Sequence, residues 1–177
     1  AGLIWLAVMS APWRLAGIGV VLVALALAPS AERFDLVVVE DGSGVAARGP
    51  SGDLILAAGT KDFPASLILK AGGDARLPRE AKAGACDAYG CTLPLAAGVV
   101  ALPNSPRAAL EDCRRAAAVV TRGFVRGCAA PLVVDRGLLQ QMGSLSARFE
   151  DGTWQVKHAM PQGMTRPFHV RPTITYD

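Results

Sequence analysis

The side chains that could bind a metal ion are few and scattered along this 177-residue sequence. Its two histidines, His158 and His169, lie near the C-terminus, and neither has a close acidic neighbour. A dinuclear hydrolase site needs a dense cluster of His and Asp, because two metal ions about 3.5–4 Å apart each require several ligands. We therefore predict no catalytic residue, no metal and no cofactor. Four acids are conceivable Mg²⁺ ligands, although Asp commonly has a local role in turns and at strand edges: Asp35, Asp41, Asp53 and Asp135.

Four cysteines offer disulfide chemistry instead. Cys86 and Cys91 bound a short segment in which Gly90 favours a turn, while Cys113 falls on a predicted helix and Cys128 just before a predicted strand. We predict bonds Cys86–Cys91 and Cys113–Cys128, since an even number of cysteines suits an oxidising compartment such as the bacterial periplasm. Zinc would want closer ligand pairs. Unbonded, buried thiols remain an alternative.

The third group is basic. Six arginines fall within 30 residues, against only three acids in the same stretch. A groove lined by arginine could follow the phosphates of a DNA strand, with Phe124 and Tyr89 as the nearby aromatic partners for bases. A solvated basic face with local salt bridges is the alternative, because the net charge is only +3. The candidate DNA-binding residues are Arg107, Arg114, Arg115, Arg122, Arg126 and Arg136.

The elements that must position these residues begin with β-rich segments. Residues 34–40, 44–48 and 54–58 are separated by glycine-containing turns, which predicts an antiparallel meander. Residues 65–70 predict a further strand, and residues 74–83 a short helix or a loop. These predictions place sheet structure in the first half of the domain.

The second half alternates hairpins with one clear helix. Ser105 and Pro106 form a helix start, with Leu110, Cys113 and Ala117 on one face. Asp151-Gly152 is a strong hairpin turn. The order of elements predicts an α/β or α+β arrangement of sheet and helix layers. The strands predicted here are residues 91–95, 99–102, 118–121, 131–135, 144–150 and 153–158.

The N-terminal end has membrane character. Residues 1–30 contain a single charge, Arg14, and two apolar runs. A helix over about 12–28, with Trp13 and Arg14 at headgroup level, would approach the roughly 20 residues that a membrane crossing requires. We predict a transmembrane helix here, the end of a polytopic membrane region that continues upstream. A buried helix of a water-soluble domain is the alternative.

Several segments carry a family resemblance. They are Phe34-Asp-Leu-Val-Val-Val, Val45-Ala-Ala-Arg48, Cys86-Asp-Ala-Tyr-Gly-Cys91, Leu110-Glu-Asp-Cys113-Arg-Arg-Ala, Arg126-Gly-Cys128 and Pro131-Leu-Val-Val-Asp135-Arg136. Together they resemble the C-terminal region of alphaproteobacterial ComEC proteins. The resemblance implies a polytopic inner-membrane protein through which single-stranded DNA enters the cell in natural transformation. It also implies a metallo-β-lactamase-like C-terminal fold, which in many members is proposed to degrade the excluded strand with two metal ions.

The chain departs from that family at its metal-binding motifs. Glu40-Asp41-Gly-Ser-Gly44 stands in place of Asp-x-Gly-Gln-Gly-Asp, and Arg122-Gly-Phe-Val-Arg126 stands in place of a later His-bearing loop. We therefore expect a degenerate, non-catalytic metallo-β-lactamase-like domain over 31–158 and a Pro-rich tail over 159–177. The expected partners are single-stranded DNA, the membrane, other competence proteins and the upstream chain, with the domain in the periplasm. The alternatives are a metal-dependent nuclease or phosphoesterase with an unrecognised site, and a membrane-anchored interaction domain unrelated to DNA.

Overall fold

The structure, a computed structural model, describes residues 11–27 and 33–160. The chain divides into two compact units, Ala1–Glu32 and Arg33–Asp177. In the first unit, helix α1 spans Ala11–Leu27, so the helix predicted over about 12–28 is present. Its 17 residues rise about 26 Å, against roughly 30 Å of hydrocarbon in a bilayer. Within the two described ranges, no helix is both long and apolar enough to cross a membrane.

The first sheet of the second unit is built on the predicted meander. Its strand order is β11-β10-β1-β2-β3-β4. Strands β1 to β3 pair antiparallel, as predicted, with Ala47 of β2 between Leu36 and Ile55. The C-terminal hairpin returns to pair with β1, and β4 pairs parallel with β3. The strands are β1 Leu36–Val38, β2 Val45–Arg48, β3 Leu54–Leu56, β4 Lys82–Ala83, β10 Leu145–Glu150 and β11 Thr153–His158.

The second sheet follows the chain order, β5-β6-β7-β8-β9. The predicted hairpin is present as β6 and β7, which pair antiparallel. Strands β7, β8 and β9 run parallel, so the segments between them cross over the sheet. The strands are β5 Ala85–Cys86, β6 Gly90–Leu95, β7 Gly98–Pro103, β8 Ala118–Val120 and β9 Val133–Val134.

The main core lies between the two sheets. Alternate residues of each strand point to opposite faces, so Val38 of β1 packs in the same cluster as Val100 of β7 and Val134 of β9. The outer face of the first sheet packs on helix α2, Asp62–Ala71, and the outer face of the second sheet on the end of helix α3, Pro106–Asp112. The predicted mixed α/β class is confirmed as helix, sheet, sheet and helix layers.

The strand predicted over 65–70 is wrong, because this segment belongs to α2. Its buried residues, Ala65, Ile68 and Leu69, are spaced three and four apart and cover the outer face of the first sheet. A short apolar run fits either a strand or a buried helix until its neighbours are known.

Two further helical segments complete the fold. A single 3₁₀ turn, Pro78–Glu80, lies within the predicted short helix or loop. Helix α4, Arg136–Met142, was not predicted; it begins after Asp135, whose carboxylate accepts a hydrogen bond from the Leu138 amide at 2.9 Å. An Asp at this position is a helix N-cap, and the sequence interpretation overlooked that signal.

Helix α3 is confirmed with its predicted start. Ser105 accepts a hydrogen bond from the Ala108 amide at 3.3 Å, and Pro106 occupies the first turn. The predicted apolar face is only partly right, because Leu110 is 54% exposed whereas Ala109 and Cys113 are buried. The helix also ends at Asp112, before Ala117, so Ala117 does not belong to its face.

Candidate functional site

A cleft of about 460 Å³ opens where strands of both sheets end, and we call it the first cleft. The turn between β1 and β2 contributes Gly42 and Ser43, and the residues after β3 contribute Ala57 and Ala58. The second sheet contributes the end of β7 with the residues that follow it, 102–106, and the end of β8 with the residues that follow it, 120–125. Segments distant in sequence thus meet in one concave surface, which is where binding sites usually form.

Arg122 spans this first cleft from one sheet to the other. It follows β8, and its Nε donates a hydrogen bond to the Gly42 carbonyl oxygen at 3.2 Å. Gly42 is buried with φ +66°, and a Cβ there would lie 3.2 Å from Cγ of Arg122. Glycine therefore suits this position both by its backbone conformation and by the close passage of the arginine.

The turn beside Arg122 is closed by a carboxylate. Oδ1 of Asp41 accepts hydrogen bonds from the Ser43 hydroxyl at 2.6 Å and from the Ser43 amide at 2.9 Å. The Ser43 hydroxyl, followed by the Ser43 amide, lowers the pKa of Asp41, and the charge of Arg122 adds a smaller effect in the same direction. Asp41 is thus an ionised turn residue.

An aromatic ring lies beside the arginine at the same end of β8. Phe124 lines the first cleft and is 43% exposed. The guanidinium carbon of Arg136 lies 5.9 Å from the centre of its ring, and the Arg136 amide donates to the Gly123 carbonyl oxygen at 3.1 Å. The start of α4 therefore brings Arg136 to the segment that carries Arg122 and Phe124.

A second cleft, of about 610 Å³, lies between the tip of the β5–β6 hairpin and α3. Arg107 lines it, together with Tyr89, which is 72% exposed. The two clefts are neighbours, because four residues line both, and we call them together the joined groove. The shared residues are Asp87, Gly90, Cys91 and Ser105.

The hairpin tip between the clefts is held firmly. Oδ1 of Asp87 accepts from the amides of Tyr89 at 2.8 Å and Gly90 at 3.0 Å. The side-chain amide of Asn104 donates to the Ala88 carbonyl at 2.6 Å, and its main-chain amide donates to the Tyr89 carbonyl at 2.9 Å. The sequence interpretation missed Asn104, for which the only signal was an Asn directly after a strand.

The second cleft also carries negative charge. Asp87, Glu111 and Asp112 line it with Arg107. Partial burial, followed by the charges of Glu111 and Asp87, raises the pKa of Asp112. A phosphate is therefore repelled by this wall, and its favourable positions are beside Arg107 and Arg122.

Not all six predicted arginines join this groove. Arg114 and Arg115 follow α3, are exposed, and line neither cleft. Arg115 lies 3.8 Å from Glu111 in an exposed pair, which contributes little stability. Arg126 is also exposed and lies outside both linings. The joined groove therefore gathers Arg107 and Arg122, with Arg136 at its rim.

The structure pairs the cysteines in the same way as the sequence interpretation. Cys86 and Cys91 face each other across β5 and β6, with Cα atoms 4.0 Å apart. Cys113 at the end of α3 bonds to Cys128 in the loop after β8, with Cα atoms 5.1 Å apart. Both bonds therefore restrain segments that adjoin the joined groove.

The four acids considered as Mg²⁺ ligands have local partners. The Asp35 carboxylate accepts from the Phe149 amide at 2.8 Å, and that of Asp53 from the Ser51 hydroxyl at 3.1 Å. Asp135 caps α4. Among residues 11–27 and 33–160, no group of three or more His, Cys, Asp or Glu could hold a metal ion. His158 is half-buried in β11, and His169 lies outside the described residues.

Comparisons with protein-family profiles, with curated proteins and with solved structures found no match. What the site can do therefore has to be inferred from its geometry. The site offers cationic side chains for phosphates and exposed rings for planar groups, in clefts that open where strands of both sheets end.

Proposed function

We propose that this chain is the C-terminal part of a ComEC-like DNA-uptake protein of a bacterial inner membrane. In this proposal, residues 33–160 form a non-catalytic domain that holds DNA as it is imported. The upstream membrane region and other competence proteins are its partners, and the domain lies in the periplasm. The two disulfides support an oxidising compartment.

The metallo-β-lactamase-like fold is part of the proposal, and two features support it. The helix, sheet, sheet and helix layers are those expected of the family's C-terminal domain. The two segments that stand in place of family motifs, residues 40–44 and 122–126, also meet in the first cleft, where Arg122 bonds to Gly42. Because these segments carry no histidine, we propose that this site binds its substrate without cleaving it.

The observation that carries the proposed DNA binding is the pairing of cations with rings along the joined groove. Arg122 and the exposed Phe124 line one end, with Arg136 against the Phe124 ring, and Arg107 lies with the exposed Tyr89 at the other end. Arginine contacts phosphates regardless of sequence, and exposed rings stack on the bases of a single strand. The arrangement therefore favours single-stranded over double-stranded DNA.

Binding of labelled single-stranded DNA to the full chain across a salt series tests this proposal. We expect Arg122→Ala plus Arg136→Ala to weaken binding at low salt by about tenfold, because two phosphate contacts are lost. The slope of log K against log salt should fall in magnitude by about 1.4, because each lost phosphate contact contributes about 0.7 on a single strand. The matched control, Arg79→Ala plus Arg114→Ala, removes the same charge outside the groove and should change binding much less.

Two results would count against this function. Equal losses of affinity in both double variants would mean that DNA binding depends only on the net charge of the protein. If no DNA binding is detected, the remaining function is that of an interaction domain unrelated to DNA. Mn²⁺ or Mg²⁺ added to the same samples tests the non-catalytic part. Metal-dependent cleavage of the DNA would mean that the domain is a nuclease with a site not identified from these residues.

A further inference from the structure

The two disulfides differ in exposure and in what surrounds them. Cys86 is exposed on the short edge strand β5, and its partner Cys91 lines both clefts of the joined groove. Cys113 is 5% exposed and packs in a cluster with Ala101 and Val119. One bond therefore faces an open groove, whereas the other faces an apolar interior.

The hairpin tip does not depend on its disulfide to stay closed. The Asp87 amide donates to the Gly90 carbonyl at 2.8 Å, and Asn104 holds the tip through two further hydrogen bonds. The Cys86–Cys91 bond spans five residues, whereas Cys113–Cys128 spans fifteen. In the chain-entropy description, the shorter loop contributes less stability. Breaking the first bond should therefore leave the fold intact.

We propose that Cys86–Cys91 is a thiol–disulfide exchange site that opens to a neutral or cationic thiol, whereas Cys113–Cys128 is a structural bond. This proposal does not rest on the proposed function in DNA uptake. It rests on the accessibility of Cys86, on the position of Cys91 in the groove, and on the charges that line the second cleft.

The exchange proceeds in two balanced steps. A thiolate attacks Sγ of Cys86 and forms a mixed disulfide, while the Cys86–Cys91 bond breaks and its electron pair leaves on Cys91, which takes a proton from water. A second thiol attacks the sulfur of the substituent and releases Cys86 as a thiolate. Two thiols are thereby oxidised to one disulfide for each protein disulfide reduced.

The leaving group explains why the second bond resists the same attack. Attack on Cys86 releases the Cys91 thiolate at the groove, where water can solvate it. Attack on Cys128 would release the Cys113 thiolate among Ala101, Ala116 and Val119. An apolar environment disfavours the thiolate, so this step is slow while the domain stays folded.

The charge of the second cleft sets the preferred thiol. Asp87, Glu111 and Asp112 line the wall next to the exposed disulfide, with Arg107 as the one basic residue in that lining. An anionic thiol is repelled by these carboxylates, and a cationic thiol is attracted. Salt should weaken both effects, because the cleft is open to solvent.

Differential alkylation of the folded, oxidised full chain tests the proposal. The chain is treated with cysteamine, and thiols freed over time are trapped with iodoacetamide and located by peptide mass spectrometry. We expect Cys86 and Cys91 to be freed at least about tenfold faster than Cys113 and Cys128, because only their bond combines an exposed sulfur to attack with a leaving group at the open groove. Equal rates, or earlier release of Cys113 and Cys128, would overturn the proposal.

Two further arms use matched reagents and variants. At equal thiolate concentration and low salt, cysteamine should react several-fold faster than 2-mercaptoethanesulfonate, and an equal rate would refute the charge preference.

In Cys86→Ser, the remaining Cys91 thiol should be alkylated in the native protein. In Cys128→Ser, Cys113 should react only after denaturant is added. An unreactive Cys91 in the native variant would also overturn the proposal.

Discussion

The two ends of the two-sheet domain both carry arginines, but they use them differently. At the anchored end, around the residues before β1 and after α2, Arg48 donates to the carbonyl oxygens of Phe34 at 3.1 Å and Gly52 at 2.7 Å. At the cleft end, around the residues after β1 and β8, Nε of the exposed Arg122 donates to the main-chain oxygen of Gly42 at 3.2 Å. At the anchored end, arginine side chains hold several main-chain oxygens, whereas at the cleft end the arginines are exposed to solvent.

Arg76 shows the anchored pattern most clearly. Its Nε donates to the Asp74 carboxylate at 2.9 Å, and its Nη2 donates to the Leu54 carbonyl at 3.0 Å. The side chains of Arg76 and Asp74 are 28% and 14% exposed, whereas Arg122 and Arg136 are exposed residues. The same residue type is thus a structural cross-link at one end and a candidate ligand contact at the other.

The largest expected effect comes from removing the best-anchored side chain. Arg76→Ala should lower the free energy of unfolding by about 2 kcal/mol, because the charge-assisted hydrogen bonds to the half-buried Asp74 carboxylate and the hydrogen bond to the Leu54 carbonyl are lost. Urea unfolding followed by circular dichroism measures this change. The control is Arg79→Ala, an exposed neighbour that should change stability by less than about 0.5 kcal/mol. Equal losses in the two variants would erase the distinction between anchored and exposed arginines.

A smaller effect is expected in the pH dependence of stability. The hydrogen bonds from Arg76 hold the pKa of Asp74 below its ordinary value of 3.8. A carboxylate with a lowered pKa in the folded state stabilises the fold above its unfolded pKa, and this contribution is lost as pH falls through the folded pKa. The stability difference between wild type and Arg76→Ala should therefore be fully present near pH 6 and narrow below about pH 4.

Unfolding free energies of both proteins between about pH 3 and pH 6 check this prediction. Subtracting the two curves removes the contribution of Asp41, whose pKa is lowered by Ser43 in both proteins. A difference that stays constant with pH would mean that Arg76 acts through Leu54 alone. Asp74→Asn should then have no effect, which provides an independent check.

Local signals were enough to predict most strands and turns. Asp151-Gly152 predicts the last hairpin, and the structure forms it with Glu150 opposite Thr153. Ser105 with Pro106 likewise predicts the start of α3. Such signals act within a few residues, so the sequence contains all the information that they need.

The misread and missed features depend on distant residues. Residues 65–70 form a helix whose apolar side packs on the outer face of the first sheet. The segment alone does not reveal that such a sheet face is present. The return of β10 to β1 joins residues about a hundred positions apart, as in the pair Val38 and Leu145. A single sequence gives no signal for such pairings.

In the candidate site, too, some features follow from the local sequence and others depend on the tertiary structure. Six arginines close together in sequence suggested a basic groove, but only the fold separates Arg122, which reaches Gly42 from 80 residues away, from Arg114, which lines neither cleft. Arg48 and Arg76 were not considered as anchors, because both donate to main-chain oxygens of distant residues, which the residue types do not reveal. Residue type predicted the chemistry, whereas tertiary structure decided which arginines could use it.

The smallest expected effect on stability comes from the cleft end. Arg122→Ala should lower the free energy of unfolding by less than about 1 kcal/mol, because it removes one hydrogen bond from an exposed side chain. Its affinity for single-stranded DNA should nevertheless fall about threefold at low salt, since one phosphate contact is lost. Arg48→Ala should show the reverse pattern. It should lower the free energy of unfolding more than Arg122→Ala does, and it should leave the affinity for DNA nearly unchanged. If Arg122→Ala instead unfolds the domain as readily as Arg76→Ala, then Arg122 is an anchor between the two sheets, and the contrast between the two ends fails.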